Sequence, residues 1–281
     1  MNKIHRRIGR FINNRFYYAR CSGIFKSFFR MSADKNRKCK KMGGVICVLS
    51  VKNEEKYLPG FFEHIRDYVD GFVILNDGST DATFDIIKKE SKILKIINNP
   101  PHDVKEWSDR KNRLQLMSAA REFADVVLCC DADERFENNF LDNLRKYSES
   151  VYLNRNKVIG LRFRELWNSP ITYRNDGIWN EKTKYILFSI SENSTFNKTY
   201  FQDLHIPWWH DDITEFELLD LNLYHLKMID PMSRQKRFEM YELLDPNHQF
   251  QKIGYDYLIS EKDINIKSIE GHSYNLLSVP D

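Results

Sequence analysis

From Gly43 onward the chain alternates short apolar runs with longer amphipathic stretches. Val45-Ile46-Cys47-Val48-Leu49, Phe72-Val73-Ile74-Leu75, Ile93-Leu94-Lys95-Ile96-Ile97 and Val126-Val127-Leu128-Cys129-Cys130 have the length of buried strands. Between them, one helix is predicted to open at Asn53-Glu54-Glu55 and run towards Tyr68, a second to be capped near Ser79 or Thr80, and a third to cover roughly 108 to 123. Strands alternating with helices imply right-handed crossovers and a mainly parallel α/β sheet flanked by helices. Further on, Leu161 to Trp167 and Tyr173 to Trp179 alternate aromatic and charged residues, which suits an amphipathic strand and hairpin or a sugar-recognising surface. Leu223-Tyr224-His225-Leu226-Lys227 reads as an apolar strand. Ser233 to Leu244 reads as a basic amphipathic helix with Arg234, Lys236 and Arg237, either closing over a diphosphate or a membrane or showing a solvated face. Residues 247 to 281 carry no functional signal of their own.

Composition adds an asymmetry. With 42% hydrophobic and 30% charged residues in 281, the chain can bury a full core, and its composition is globular rather than that of a disordered chain. The net charge of +3 conceals an arm, residues 1–42, with thirteen Lys or Arg against the single acid Asp34, on a body of opposite sign. Ile4, Ile8, Phe11 and Ile12 fall at helical spacing in that arm, and Phe16, Ile24, Phe25, Phe28 and Phe29 continue the aromatic, basic pattern. An anionic membrane surface is the partner this composition fits, ahead of nucleic acid; the alternative is a solvated extension. No run approaches the roughly 18 to 20 apolar residues of a membrane span. The basic start also lacks the apolar core of a signal peptide, so the expected location is cytoplasmic, on the inner membrane face if the arm binds lipid. Cys21, Cys39, Cys47, Cys129 and Cys130 form no CxxC pair and no disulfide-like framework, which agrees with that location.

Two acidic turns carry the candidate chemistry. Asp77-Gly78-Ser79-Thr80-Asp81 and Asp131-Ala132-Asp133-Glu134 each follow an apolar run directly, so both fall at the carboxyl ends of strands, where open α/β sheets bind ligands. No GxGxxG or GxxxxGK[ST] follows a strand, which argues against dinucleotide-binding enzymes and P-loop NTPases. Phosphates would instead be held through a hard cation, Mg2+ or Mn2+, bound by one or two carboxylates. Asp131 and Asp133 lie two apart across a turn and can face the same edge; taken alone, such a turn often only caps the next helix.

Together with the strand order, these motifs resemble the family 2 glycosyltransferases. The resemblance is carried over about 43 to 147 by Val45 to Glu54, Leu75-Asn76-Asp77-Gly78-Ser79-Thr80-Asp81 and Leu128-Cys129-Cys130-Asp131-Ala132-Asp133-Glu134. The DADE form followed by Arg135-Phe136 looks like the branch of lipopolysaccharide-core glucosyltransferases. The resemblance implies a GT-A-type, Rossmann-like sheet, to which the composition and patterning above add a basic N-terminal arm and a helical C-terminal extension. It divides the chain into the arm (1–42), a nucleotide-sugar-binding half (43–147), an acceptor-binding half (148–230) and the extension (231–281). It implies transfer of a sugar from a nucleotide-sugar donor, UDP favoured, to a glycan or glycolipid acceptor, in cell-surface polysaccharide or lipopolysaccharide synthesis.

The same resemblance assigns roles. Ser50 and Glu54 lie near the base and ribose, Asp77 contacts the nucleobase, Asp131 approaches the ribose, and Asp133 meets the metal and diphosphate. Arg110-Lys111-Asn112-Arg113 resembles the family's Arg-Asn segment, so Arg110 or Arg113 pairs with phosphate, or either presents a solvated helix face. Inverting transfer needs a base for the acceptor hydroxyl. In His205-Ile206-Pro207-Trp208-Trp209-His210-Asp211-Asp212 the candidates are Asp211, then Asp212, with His205 as the alternative; either aspartate could instead cap the stretch Ile213 to Leu219. His225 is the expected late histidine of the metal shell, or a satisfied core residue. A haloacid-dehalogenase-type phosphatase is the rival enzyme, but three β-α units precede this DxD, and Glu134 and Arg135 follow it. A non-catalytic membrane adaptor is the second rival, and the intact Asp77, Asp131 and Asp133 argue against it.

Overall fold

The computed structural model describes residues 41–199, 206–270 and 273–280; the N-terminal arm with Cys21 and Cys39, and His205, lie outside the described residues. Lys40–Asp281 forms one compact unit. Its strands are β1 (Lys41–Val51), β2 (Gly71–Asp77), β3 (Ile93–Asn99), β4 (Ala124–Cys129), β5 (Glu134–Phe136), β6 (Lys157–Glu165), β7 (Thr172–Arg174), β8 (Thr183–Ser189), β9 (Glu215–His225) and β10 (Ile266–Ser268). Eight of them form one sheet in the order β3-β2-β1-β4-β8-β6-β9-β5. The β3-β2-β1-β4 half is parallel throughout, while β8 runs antiparallel to both β4 and β6, and β5 antiparallel to β9. Only β6 and β9 restore a parallel pair in the second half.

The parallel half is covered on both faces, which is why its strands read as continuous apolar runs. Every residue of β2 is buried. Alternate residues of β1 divide between two cores: Val45, Cys47 and Leu49 pack with Phe61, Phe62 and Ile65 of α1 (Leu58–Ile65), and Ile46 and Val48 with Leu116, Met117 and Ala120 of α3 (Asp109–Ala120). Ser108 accepts from the Lys111 amide at 3.2 Å and starts α3. α2 (Thr83–Lys89) follows β2, α4 (Asn138–Asp142) and α5 (Leu144–Leu153) follow β5, α6 (Ile178–Glu181) precedes β8, and α7 (Pro231–Leu244) follows β9.

Three local expectations change. The first helix begins at Leu58, with Pro59 in its first turn, because Asn53 to Tyr57 fold into a turn with Asn53 at φ 56°. Neither Ser79 nor Thr80 caps α2: Ser79 Oγ accepts from the Asn53 amide at 3.0 Å, and the Thr80 amide donates to Asn53 Oδ1 at 2.8 Å, clipping two ligand-edge loops together. Ile213 to Leu219 leads into strand β9, not a helix, because that stretch pairs with β6. Beyond α7, no further α-helix occurs among the described residues. The segment returns to the body through β10 on β7 and a turn at Asn275–Val279.

Candidate active site

Two cavities open at the carboxyl edge of the parallel strands. The smaller, about 160 Å³, is lined by Asp77, Asn99, Pro100, His102, Glu106, Ser108, Lys111 and Asn112. Asp77 closes it at the end of β2, accepting from Asn99 Nδ2 at 2.9 Å and Asn112 Nδ2 at 2.8 Å, with His102 Nε2 at 3.0 Å. Burial pushes the Asp77 carboxyl up, but these hydrogen bonds outweigh it and hold the group below its ordinary value. Gly78, at φ +71°, makes the turn; a Cβ there would meet the Pro100 carbonyl oxygen at 2.6 Å. The result is a small polar slot ending in an ionised acceptor held by two amides, which suits a ring carrying N–H donors.

The larger cavity, about 420 Å³, gathers Asp109, Arg113, Asp131, Glu134, Glu165, Lys182, Lys184, His225 and Arg237 with the rings of Trp107, Phe163 and Tyr241. Lys184 reaches Asp131 Oδ2 at 2.7 Å and Glu134 Oε1 at 2.5 Å. Asp133 Oδ2 lies 3.0 Å from His225 Nε2 and 3.6 Å from Lys227 Nζ, and Lys227 holds Glu54 Oε1 at 2.5 Å. On the far side of the imidazole, His225 Nδ1 is bonded to Glu165, whose other oxygen accepts from Lys182 Nζ at 3.0 Å. The charges set one another. Burial opposes the Asp133 anion, yet His225, Lys227 and Arg237 hold its carboxyl well below the usual range. Burial also opposes protonated His225, yet Glu165 and Asp133 lift it to about 9. Glu54 and Glu134 are pushed up to about 7, first by burial and then by neighbouring aspartates. Arg237 Nη2 contacts Tyr241 Oη at 3.3 Å, and no carboxylate lies within ion-pair distance of it among the described residues.

Part of the donor set of a hard divalent cation is present here. Asp133 and His225 converge, Glu165 stands behind the ring as a carboxylate does behind a metal-bound imidazole, and the buried Glu54 Oε2 has no hydrogen-bond partner. Against this, no group of three or more His, Cys, Asp or Glu at ligand spacing is formed among the described residues.

The expected residues divide. Asp77 stands in the small cavity; Asp131, Arg113 and His225 line the large one, and Glu54 and Asp133 are joined to it through Lys227 and His225. Ser50, at the end of β1, is paired in register with Leu75 and lines neither cavity. Arg110 is exposed and lines neither. Arg113 stacks 4.0 Å from the Trp208 ring and bonds the Ile206 carbonyl and Asp109, so part of its fork is already engaged. Asp211 accepts from Thr195 Oγ1, the Lys198 amide and both the amide and hydroxyl of Thr199, which together outweigh burial and lower it to about 2. Neither Asp211 nor the exposed Asp212 lines either cavity. Sequence reasoning missed Asn99 and His102, and the partners Lys182, Lys184 and Lys227; Asn112 and Glu165 fell inside segments it singled out but were given no role of their own. Arg237 had a signal, the basic face of its helix.

A mixed sheet with acidic loops and two polar cavities at its carboxyl edge is an α/β frame of GT-A-like form. The sequence of residues 46–206 matches the model of glycosyl transferase family 2, and the chain belongs to that family and is a glycosyltransferase. No curated protein matches it. Among solved structures it is similar to Staphylococcus aureus TarS 1-349 in complex with UDP, at 13% identity, covering 78% of this chain and 70% of that one, with a TM-score of 0.43. It is also similar to a putative nucleotide-diphospho-sugar transferase of Desulfovibrio desulfuricans G20, at 10% identity, covering 78% and 95%, with a TM-score of 0.37. No helix among the described residues is long and apolar enough to cross a membrane.

Proposed function

We propose that the enzyme transfers one sugar, with inversion, from a uridine diphosphate donor to a hydroxyl of a glycan or glycolipid acceptor. The observation that carries the reading is the pair of cavities at one sheet edge, Asp77 in the small and the Asp133–His225 pair at the large. Asp77 accepts the ring N–H of the base, while Glu54, through its free Oε2, takes a ribose hydroxyl. Arg237 and Lys184 face the diphosphate, and Asp131 stands between ribose and phosphate. Mg2+ or Mn2+, held by Asp133 and His225 with Asp131 beside them, would neutralise the leaving diphosphate. Trp107, Phe163 and Tyr241 offer ring faces to the transferred or accepting sugar.

The base is a separate choice. Asp109 stands in the cavity wall with Arg113 Nε at 2.7 Å, whereas Asp211 is fully engaged with its own loop. We therefore move the role from Asp211 and Asp212 to Asp109. A membrane role for residues 1–42, and a place in cell-surface glycan synthesis, rest on the sequence alone.

A thermal-shift panel of UDP, GDP, CMP and ADP with and without Mn2+ tests the donor. At about 100 times its dissociation constant a ligand stabilises the fold by roughly 2.7 kcal/mol, and a manganese-dependent shift with UDP is expected. Absence of a shift with every nucleotide overturns the reading. Asp109→Asn should stop transfer and spare UDP binding; Asp211→Asn doing so instead returns the base to that loop.

A further inference from the structure

Directly beneath the acidic loop lies a guanidinium that the chemistry above does not use. Arg135 is fully buried, the residue after Asp131-Ala132-Asp133-Glu134, and its partners are neutral oxygens from three separate segments. Nη1 donates to the carbonyls of Ala132 and Glu134, both at 2.8 Å, inside the loop itself. Nη2 donates to the Tyr57 carbonyl at 3.1 Å and the Ser278 carbonyl at 2.7 Å, and Nε donates to Ser278 Oγ at 2.9 Å. All five N–H groups of the fork are thereby occupied.

The segment that supplies Ser278 is itself fixed. Ser278 Oγ donates to the Asn275 carbonyl at 2.6 Å, Asn275 Oδ1 accepts from the Leu277 amide at 3.1 Å, and the Tyr274 ring lies 4.8 Å from that of Tyr224 on β9. Gly60 of α1 leaves the space for this turn: a Cβ there would lie 2.0 Å from the Ser278 carbonyl oxygen and 3.1 Å from Arg135 Nη2. A stretch about 140 residues further along the chain is therefore bonded to the same side chain that holds the middle of the DxD loop.

We propose that Arg135 and the turn Asn275–Val279 form a latch that positions the acidic loop for the donor diphosphate. Arg135 is a positioning residue in it: it grips the Ala132 and Glu134 carbonyls on either side of Asp133, and so fixes where that carboxylate points. Burying a cation costs free energy that carbonyls alone repay only when the fork is fully satisfied. Removing the turn strips the hydrogen bonds to Ser278 and leaves the guanidinium partly unpaired, so the loop must shift to satisfy it. The nucleobase slot shares no residue with the latch and is unaffected. The effect on catalysis rests on the proposed diphosphate site; the effect on the loop does not.

The test uses the whole chain, the chain ended at Tyr274, Gly60→Ala and Arg135→Lys, with Leu277→Ser as a control because that side chain is 86% exposed. Two readouts are taken in Mn2+: hydrogen exchange of the amides of 131–135 against those of 77–81, and calorimetric affinities for UDP and for uridine. The latch predicts faster exchange in 131–135 alone, with UDP binding weakened roughly 10–100-fold and uridine binding unchanged, the range seen when supporting residues around a functional site are lost. If the chain ended at Tyr274 does not fold, Gly60→Ala decides, since it displaces the turn while keeping every latch side chain. Unchanged protection of 131–135 overturns the latch, as does an equal loss of UDP and uridine affinity, which marks a purely structural role. Faster exchange in 131–135 with a parent chain that binds UDP no better than uridine supports the positioning and overturns the diphosphate site instead.

Discussion

The two cavities solve opposite physical problems. In the smaller, amide side chains and His102 satisfy the buried Asp77 carboxylate before any ligand arrives. The larger crowds carboxylates against Lys182, Lys184, Lys227 and His225, each of them ion-paired, and Arg237 adds a further positive charge. A slot built around one such satisfied acceptor can select a ring by shape and directed hydrogen bonds. A diphosphate brings charge into a low-dielectric site, and such a site stays folded only if compensating charges are built in beforehand. Recognition of the base and handling of the phosphates should therefore respond separately to mutation and pH.

The largest separation should come from Asp133→Ala. Transfer is expected to fall by roughly 10²–10³-fold, the scale of losing one preorganised electrostatic group, while uridine affinity is unchanged; equal loss of both would merge the two cavities into one functional unit. Acid comes next, acting through His64. Its Nε2 accepts from the Phe136 amide at 2.9 Å beside the acidic loop, and burial with the Arg135 charge holds it neutral, lowered to about 3. Because the folded-state value is depressed below about 6.5, this contribution is complete above that pH. It is lost as pH falls towards about 3, at up to roughly 1.4 kcal/mol per unit. Urea midpoints measured across that window should show the slope, and His64→Gln should flatten it.

Asp77→Asn should weaken uridine and UDP alike, by about 1.5–3 kcal/mol for the lost charged acceptor, in calorimetric titration. A loss confined to UDP would remove the base from the smaller cavity. The smallest effect belongs to Ser108→Ala, which removes the cap of α3 and should cost about 1 kcal/mol in chemical denaturation. Because α3 carries Asp109 and Arg113 to one cavity and Lys111 and Asn112 to the other, any loss of binding should touch both cavities.

The sequence by itself determined the parallel half: β1 to β4, the helix capped by Ser108, and the acidic loops that end two of those strands. Buried parallel strands must be apolar on both faces, so each leaves a contiguous run, and the functional loops follow those runs directly. Asp77, Asp131 and Asp133 were legible for that reason. Tertiary structure alone decided what surrounds them. Ile213 to Leu219 could not be read as the start of a strand, because its partner β6 begins more than fifty residues earlier. Lys184 and Lys227 are ordinary lysines until β8 and the end of β9 carry them to Asp131 and Asp133. Glu165 and Asn112 became site residues, and Asp211 a loop anchor, by the same means. A charge's role depends on what faces it, and in a mixed sheet the facing groups come from distant parts of the chain, where no local pattern records them.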